Sequence, residues 1–216
     1  MLLRILTSLL LLSSLQEAAA QKTEYGFFVG GQATSAGYYL HGHRQATTWL
    51  PGAHAGAILR IPFEGNFYFS PSLAYSLKGF DVNLTDTSSN PGINVVGNRL
   101  RVHTFELAPL FTLYFASAGT RPFIQFGPAA DFAVWGTEDL RLRDGSTSGR
   151  TMNFSNDAYG RITASLIVRL GVETRSGFFF NAHYNHGVGS LNQNDFGPSI
   201  KHQVAGMSIG KIFSRK

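Results

Sequence analysis

Alternation of apolar and polar residues at every second position is the feature that most constrains this chain. It recurs in about eight segments between residues 21 and 213. In the clearest segment, residues 161–172, Ile162 and Leu166 lie on one face and Arg169 lies on the other. Only an extended strand separates neighbouring side chains in this way, because a helix groups residues three and four positions apart. A strand of this length exceeds the usual soluble strand and, when tilted, is long enough to cross a bilayer.

Residues 1–20 are typical of a secretory signal peptide. Arg4 precedes an apolar run over residues 5–15 and the small residues 18–20, so cleavage leaves Gln21 as the mature N-terminus. An N-terminal membrane anchor is the alternative, but the run is shorter than the roughly twenty apolar residues that a spanning helix needs. The chain has no cysteine, which excludes disulfides and thiolate metal sites. We expect residues 1–20 to be a cleaved signal peptide and residues 21–216 to form one outer-membrane barrel domain.

The alternating segments predict an all-β fold, an eight-stranded antiparallel up-and-down transmembrane β-barrel. Short and long connections alternate along the chain, and in outer-membrane barrels the short turns face the periplasm while the long loops face outside. Both termini are therefore expected on the periplasmic side. The predicted strands cover residues 24–34, 53–63, 66–82, 98–115, 121–136, 158–173, 177–187 and 199–213. The predicted long loops cover residues 35–52, 83–97, 137–157 and 188–198.

A soluble eight-stranded barrel of the lipocalin type is the alternative fold, with the apolar face turned inward around a ligand. Long strands, the regular order of connections and a charged face rich in Gly, Ser and Ala favour the membrane barrel instead. Aromatic residues near strand ends also favour it, because such residues form girdles at the two membrane surfaces. The expected girdle residues are Tyr25, Tyr38, Tyr39, Tyr75, Tyr114, Trp135, Tyr159, Tyr184 and Phe213.

Charged residues on the strands are expected to face the barrel interior. An Arg or Lys on the lipid face near the bilayer midplane costs about 2–4 kcal/mol. Buried charges must also be paired, so we interpret the inward charges as a static ion-pair core that plugs a narrow lumen. A gated ion path through the same pairs is the alternative. The predicted lumen cluster consists of Arg60, Lys78, Glu106, Asp131, Arg161 and Arg169.

Several segments resemble one family of bacterial barrels. Residues 72–79, SLAYSLKG, resemble its strand pattern L-x-Y-S-x-K-G, and residues 105–110, FELAPL, are similar to its L-E-I-P-L strand. Residues 121–128 and 206–213 are similar to two further strands, and Ala108 departs from the usual Ile. The family is that of the small outer-membrane β-barrels of Bacteroidetes, the porin-family or PorT-like proteins of the OmpA/OmpX eight-stranded type. This resemblance implies a barrel in a Gram-negative outer membrane, and it implies no chemistry.

No catalytic site is predicted, and the chain is not expected to be an enzyme. His41 and His43 in the first long loop, and His183 and His186 near the end of the seventh strand, allow a lipid-modifying barrel enzyme as a minor alternative. Such a site needs a base oriented by a third group, and no spacing here specifies one. No nearby carboxylate completes a metal site at His41 and His43. We predict no metal site and no cofactor.

The expected function is a structural or surface-binding role in the outer membrane. The formal net charge of +5 stays unchanged after loss of residues 1–20, which carry only Arg4 and Glu17. Without a clustered basic stripe this charge favours outer-membrane lipid and lipopolysaccharide as partners over nucleic acid. The barrel is expected to be monomeric. The alternative is an accessory subunit of a larger outer-membrane machine for secretion or assembly.

Overall fold

The computed structural model describes residues 23–84, 94–155, 158–194 and 197–213. These ranges contain antiparallel strands, and no helix in them is long and apolar enough to cross a membrane. The predicted signal peptide lies outside the described residues. The strands are β1 (Glu24–Leu40), β2 (His43–Arg44), β3 (Ala46–Thr48), β4 (Leu50–Glu64), β5 (Phe67–Asn83), β6 (Val95–Tyr114), β7 (Arg121–Leu142), β8 (Thr147–Thr151), β9 (Ile162–Glu173), β10 (Phe178–Gly187) and β11 (Ser199–Phe213).

Eight of these strands form a closed ring in the order β1, β4, β5, β6, β7, β9, β10, β11. The ring closes where β11 pairs with β1, from Tyr25 opposite Phe213 to Tyr39 opposite Ser199. Each neighbouring pair along the ring is antiparallel, so every backbone edge within the wall is satisfied. The predicted all-β, eight-stranded up-and-down barrel is confirmed.

The outer face of the ring carries an apolar band. On β5 the band runs from Phe67 to Leu77. Leu73 of β5 and its neighbours Phe105 and Leu107 of β6 are about half exposed. Ten residue steps of about 3.3 Å, tilted by about 40°, give a height of about 25 Å, which matches the lipid-facing band of outer-membrane barrels.

Aromatic rings border this band at both ends, as girdles do. At the end with the longer connections, the Tyr75 hydroxyl lies 2.5 Å from Nδ1 of His103, and the His103 and Trp135 rings are 4.9 Å apart. At the opposite end, Tyr25 stacks on Phe213 with ring centroids 5.5 Å apart. The band therefore spans the distance between two aromatic layers.

The longer connections contain more strand than the sequence predicted. Residues 35–52 were expected to form a loop, but β1 continues to Leu40 and turns at His41 and Gly42, which both have positive φ, into β2. Residues 137–157 were also expected to form a loop, but β7 continues to Leu142 and pairs with β8. Strand β8 is exposed on both faces, whereas residues 35–38 of β1 are buried on both faces, so the alternation that reveals a membrane strand is absent from both segments.

Apolar side chains fill the interior near the longer connections. Leu100 and Val102 of β6 and Phe80 and Val82 of β5 are fully buried there, and Ile200 of β11 packs with them. Nearer the short turns a second apolar cluster includes Phe28, Ile58, Phe123 and Phe179. The charged residues of the lumen lie between these two apolar clusters and on the short-turn side of the second cluster.

Candidate functional site: the charged lumen

The central cluster of the lumen joins three strands through Lys78. Its Nζ donates to Glu106 Oε2 at 3.0 Å and to Asp131 Oδ1 at 2.6 Å. Arg169 Nη2 lies 3.7 Å from Glu106 Oε1, and the Asn185 amide donates to Glu106 Oε2 at 3.0 Å. All five side chains are buried. Two cations and two carboxylates thus balance within the wall of β5, β6, β7 and β9.

The space around the central cluster is narrow. A cavity of about 10 Å³ lies beside Lys78 and Asp131, and His202, Ser165 and Asn185 also line it. A volume of this size holds at most about one water molecule. The pairs are therefore enclosed by their own neighbours.

A second ionic cluster, the mouth cluster, lies at the end with the short turns. Arg60 of β4 donates through Nε to Glu24 Oε2 at 2.5 Å and through Nη1 to Glu173 Oε2 at 2.5 Å. The same Nη1 also donates to the Tyr114 hydroxyl. Arg121 Nη2 donates to Glu173 Oε1 at 2.6 Å, and its guanidinium carbon lies 4.3 Å from the Tyr114 ring centre. This cluster links β1, β4, β6, β7 and β9 around the barrel opening.

The sequence-predicted cluster is therefore divided in the structure. Lys78, Glu106, Asp131 and Arg169 come together, whereas Arg60 belongs to the mouth cluster.

Arg161 joins neither cluster, and its inward position stays a prediction. By alternation it shares a face with Arg169, and Ala133 N donates to Arg161 O at 2.7 Å, one residue beyond the start of β9 at Ile162. It is exposed, with its guanidinium carbon 5.4 Å from the Phe154 ring centre.

Sequence reasoning missed four members of the mouth cluster: Glu24, Tyr114, Arg121 and Glu173. Tyr114 was assigned to an aromatic girdle because it ends a strand, yet it is buried in the lumen. It lies an even number of residues from Glu106 on β6, and Glu173 lies an even number from Arg169 on β9. Alternation from these neighbours therefore places both side chains inside.

A polar cluster around Glu138 lies at the end with the longer connections, beyond the apolar cluster that contains Phe80 and Leu100. Asn98 and Tyr159 donate to Glu138 Oε2 at 3.0 and 2.9 Å, and Arg150 Nε donates to Oε1 at 2.7 Å. Burial, and then the nearby Glu138 carboxylate, raise the pKa of the Tyr159 phenol. The phenol therefore stays protonated and keeps its role as a donor. Tyr38, another expected girdle residue, is also buried at this end.

The structure does not bring together the four histidines considered for catalysis. His41 and His43 lie in or beside the β1–β2 turn, while the rings of His183 and His186 lie on opposite faces of β10. A different histidine, His54, has Nε2 2.7 Å from the Ser208 hydroxyl inside the lumen. Among the described residues, no group of three or more His, Asp or Glu side chains is arranged to hold a metal ion.

Residues 18–193 match the family described as the outer membrane protein beta-barrel domain. The chain belongs to this family. It is an outer-membrane β-barrel protein, and this membership implies the outer membrane of a Gram-negative bacterium. None of the curated proteins matches the barrel sequence.

The barrel was also compared with solved structures. Ail, the attachment invasion locus protein of Yersinia pestis, has 10% identity and a TM-score of 0.46, over 89% of this chain and 99% of Ail. OprG from Pseudomonas aeruginosa has 12% identity and a TM-score of 0.48, over 90% of this chain and 98% of OprG. Neisserial surface protein A has 11% identity and a TM-score of 0.41, over 87% of this chain and 97% of that protein.

Proposed function

We propose that this barrel has a structural or surface-binding role and does not conduct solutes. The observation that carries the proposal is the filling of the lumen by the Lys78 ion pairs and, above them, by the apolar cluster around Phe80 and Leu100. An eight-stranded barrel encloses a space that side chains can fill completely. Opening a path would separate buried ion pairs, and leaving a buried charge without its partner costs about 3–5 kcal/mol. We favour the static core over the gated path for this reason.

Conductance measurement tests the sealed lumen. The protein, purified and folded, is inserted into a planar bilayer at neutral pH, with a water-filled porin as the positive control. We expect no steady conductance above the bilayer background. Stable, discrete channel openings in proportion to the amount of inserted protein would overturn the proposal and support the gated path.

We infer that the chain is exported with residues 1–20 as a cleaved signal peptide and that residues 21–216 form the mature barrel domain. The short turns and both termini then face the periplasm, because long connections of outer-membrane barrels lie outside. The motif resemblance supports a place among the PorT-like barrels of Bacteroidetes. The mass of the protein extracted from its own membrane tests the cleavage. Cleavage after residue 20 predicts the mass of a chain that begins at Gln21.

We propose that lipopolysaccharide and other outer-membrane lipids are the partners of the barrel. We also propose that the barrel is a monomer and binds neither nucleic acid nor a cofactor. The positive net charge supports this, since anionic lipid attracts a basic surface. The mixed-charge hairpins at the end with the longer connections are the candidate surface for a further ligand.

An accessory role in a larger outer-membrane machine is the second candidate, and one feature favours it. Strand β8 is exposed along its whole length and, among the strands that the structure describes, pairs only with β7. Its other edge therefore offers backbone groups to a strand of another protein. Stoichiometric recovery of a large barrel or secretion subunit with the tagged, detergent-extracted protein would support this role. Recovery of the barrel alone would support the free-standing role.

A further inference from the structure

Arg101 lies on the outer wall of the barrel, near the end with the longer connections. Its neighbours on β6, Leu100 and Val102, are fully buried in the interior. Because successive residues of a strand point to opposite faces, the Arg101 side chain points outward, and it is exposed. His103 and then Phe105 follow on the same outer face. The strand itself therefore sets the direction of the Arg101 side chain.

The level of Arg101 is fixed by the aromatic girdle two residues away. His103 is opposite Trp135, with ring centroids 4.9 Å apart, and the Tyr75 hydroxyl lies 2.5 Å from His103 Nδ1. Girdle tryptophan and tyrosine rings lie at the level of the lipid headgroups. Two residues of a strand tilted by about 40° add about 5 Å of height. Arg101 therefore lies just outside the girdle, within the headgroup layer.

Arg101 has no described carboxylate as its partner. Among the residues that the structure describes, it takes part in no ion pair. The nearby Asp81 is already shared by Arg99 at 2.8 Å and Arg141 at 2.6 Å. Asp139 is opposite Arg99 in the register of β6 and β7. These three arginines and two aspartates together carry a net positive charge, which favours an anionic ligand.

Two threonines continue the row from Arg101 across β7 and β8. Thr137 is opposite Arg101, and Thr151 is opposite Thr137. Residues directly opposite each other in antiparallel strands have their side chains on the same face. Glu138, the next residue of β7, is buried on the inner face, which agrees with an outward Thr137. The row Arg101, Thr137 and Thr151 thus presents a guanidinium and two hydroxyl groups to the same layer.

We propose that this row binds a phosphate group of lipopolysaccharide in the outer leaflet, with Arg101 as the main ligand. The inference rests on the proposed function, in which lipopolysaccharide is a partner and this end of the barrel faces outward. A guanidinium matches a phosphate with two parallel, charge-assisted hydrogen bonds, and threonine hydroxyls add neutral donors. On the same strand, Phe105 and Leu107 are about half exposed on the lipid-facing side. The phosphate contact therefore lies directly above a surface that suits the acyl chains of the same lipid molecule.

Native mass spectrometry of the folded, full-length mature barrel in detergent tests the proposal. The probe is purified phosphorylated lipid A, compared with lipid A from which the phosphates have been removed. We expect Arg101→Gln to weaken binding of the phosphorylated form about tenfold, as the loss of one charge-assisted contact does. Thr137→Val, which keeps the net charge, should weaken it severalfold. Arg175→Gln is the matched control, since Arg175 is an exposed arginine in the short β9–β10 turn at the opposite end, and we expect it to leave binding unchanged.

Two results would overturn the inference: equal binding by Arg101→Gln and the unmodified protein, or equal binding of lipid A with and without phosphate. Displacement of lipid A by excess inorganic phosphate or by equimolar phosphatidylglycerol would also overturn it, because the row would then accept any phosphate. Heat-dependent migration on gels verifies that each variant is folded. If the unmodified barrel and Arg101→Gln bind lipid A equally, this site fails while the lipopolysaccharide partner of the proposed function stands. Conductance through the lumen is measured independently, so a failure here is also distinguishable from a failure of the sealed-lumen proposal.

Discussion

Lys78 is the residue on which the charge balance of the lumen depends. It is the cation that contacts both Glu106 and Asp131 at hydrogen-bond distance, and its side chain is only 2% exposed. Arg169 approaches Glu106 from the far side at 3.7 Å and does not contact Asp131 in the described ion pairs. Removing the ammonium group would therefore leave Asp131 buried without a cation.

We predict that Lys78→Met lowers the free energy of unfolding by about 3–5 kcal/mol, the usual cost of a buried charge that loses its partner. Urea unfolding of the barrel in lipid vesicles, followed by tryptophan fluorescence, measures this change. Lys201→Met is the matched control, because Lys201 is partly exposed and in no described ion pair, and its expected change is within about 0.5 kcal/mol.

A further variant separates charge from packing. Asp131→Asn combined with Lys78→Met should recover part of the lost stability, because the pair then lacks both charges. A Lys78→Met protein as stable as the unmodified one would mean that the central ion pairs contribute nothing to folding.

At the scale of the elements, the β1–β2 hairpin shows what sequence patterns can and cannot reveal. Membrane strands were predictable because one face meets lipid and the other does not. Beyond the membrane, β8 reads Thr-Ser-Gly-Arg-Thr and has no apolar face, so nothing in its pattern distinguishes it from a loop. The extension of β1 to Leu40 was hidden for a different reason, because residues 35–38 are buried on both faces, although His41-Gly42 is a dipeptide that suits a tight turn.

Gly42 is required by this turn, since its φ of 82° lies in the region that side chains disfavour. We predict that Gly42→Val destabilises the barrel by about 1–3 kcal/mol. Gly31→Val is the control: its position also has open space around a Cβ, but it lies in extended β1 without a positive φ. Vesicle-based urea unfolding compares the two variants, and equal stability would contradict a strained turn.

The candidate site was predictable only in part, for reasons that particular residues illustrate. The charges on β5, β6, β7 and β9 alternate with lipid-facing neighbours, which placed Lys78 and Glu106 inside. Arg161 follows the same parity but precedes the first residue of β9, and it is exposed and joins no described ion pair, so parity alone did not predict the cluster's members. Tyr114 was ambiguous because a tyrosine at a strand end suits both a girdle and a buried hydrogen bond.

For the whole molecule, the orientation in the membrane is the property that most affects any surface role. The chain has no cysteine, so single cysteines can be introduced without background. Ser148 in β8 and Ala118 in the β6–β7 turn are both exposed, and they lie at opposite ends of the barrel.

We predict that a membrane-impermeant maleimide labels Ser148→Cys on intact cells and does not label Ala118→Cys. Both variants should react equally once the outer membrane is permeabilised, which controls for folding and accessibility. Labelling of Ala118→Cys alone on intact cells would mean that the barrel has the opposite orientation, with the short turns outside.

The distribution of the lumen charges over the strands constrains how the barrel can enter its membrane. Lys78 lies on β5, but the carboxylates that neutralise it lie on β6 and β7, and Glu173 of the mouth cluster arrives only with β9. A strand-by-strand passage into lipid would expose each charge before its counter-ion is present. We therefore expect the strands that share these ion pairs to enter the bilayer together and not one at a time.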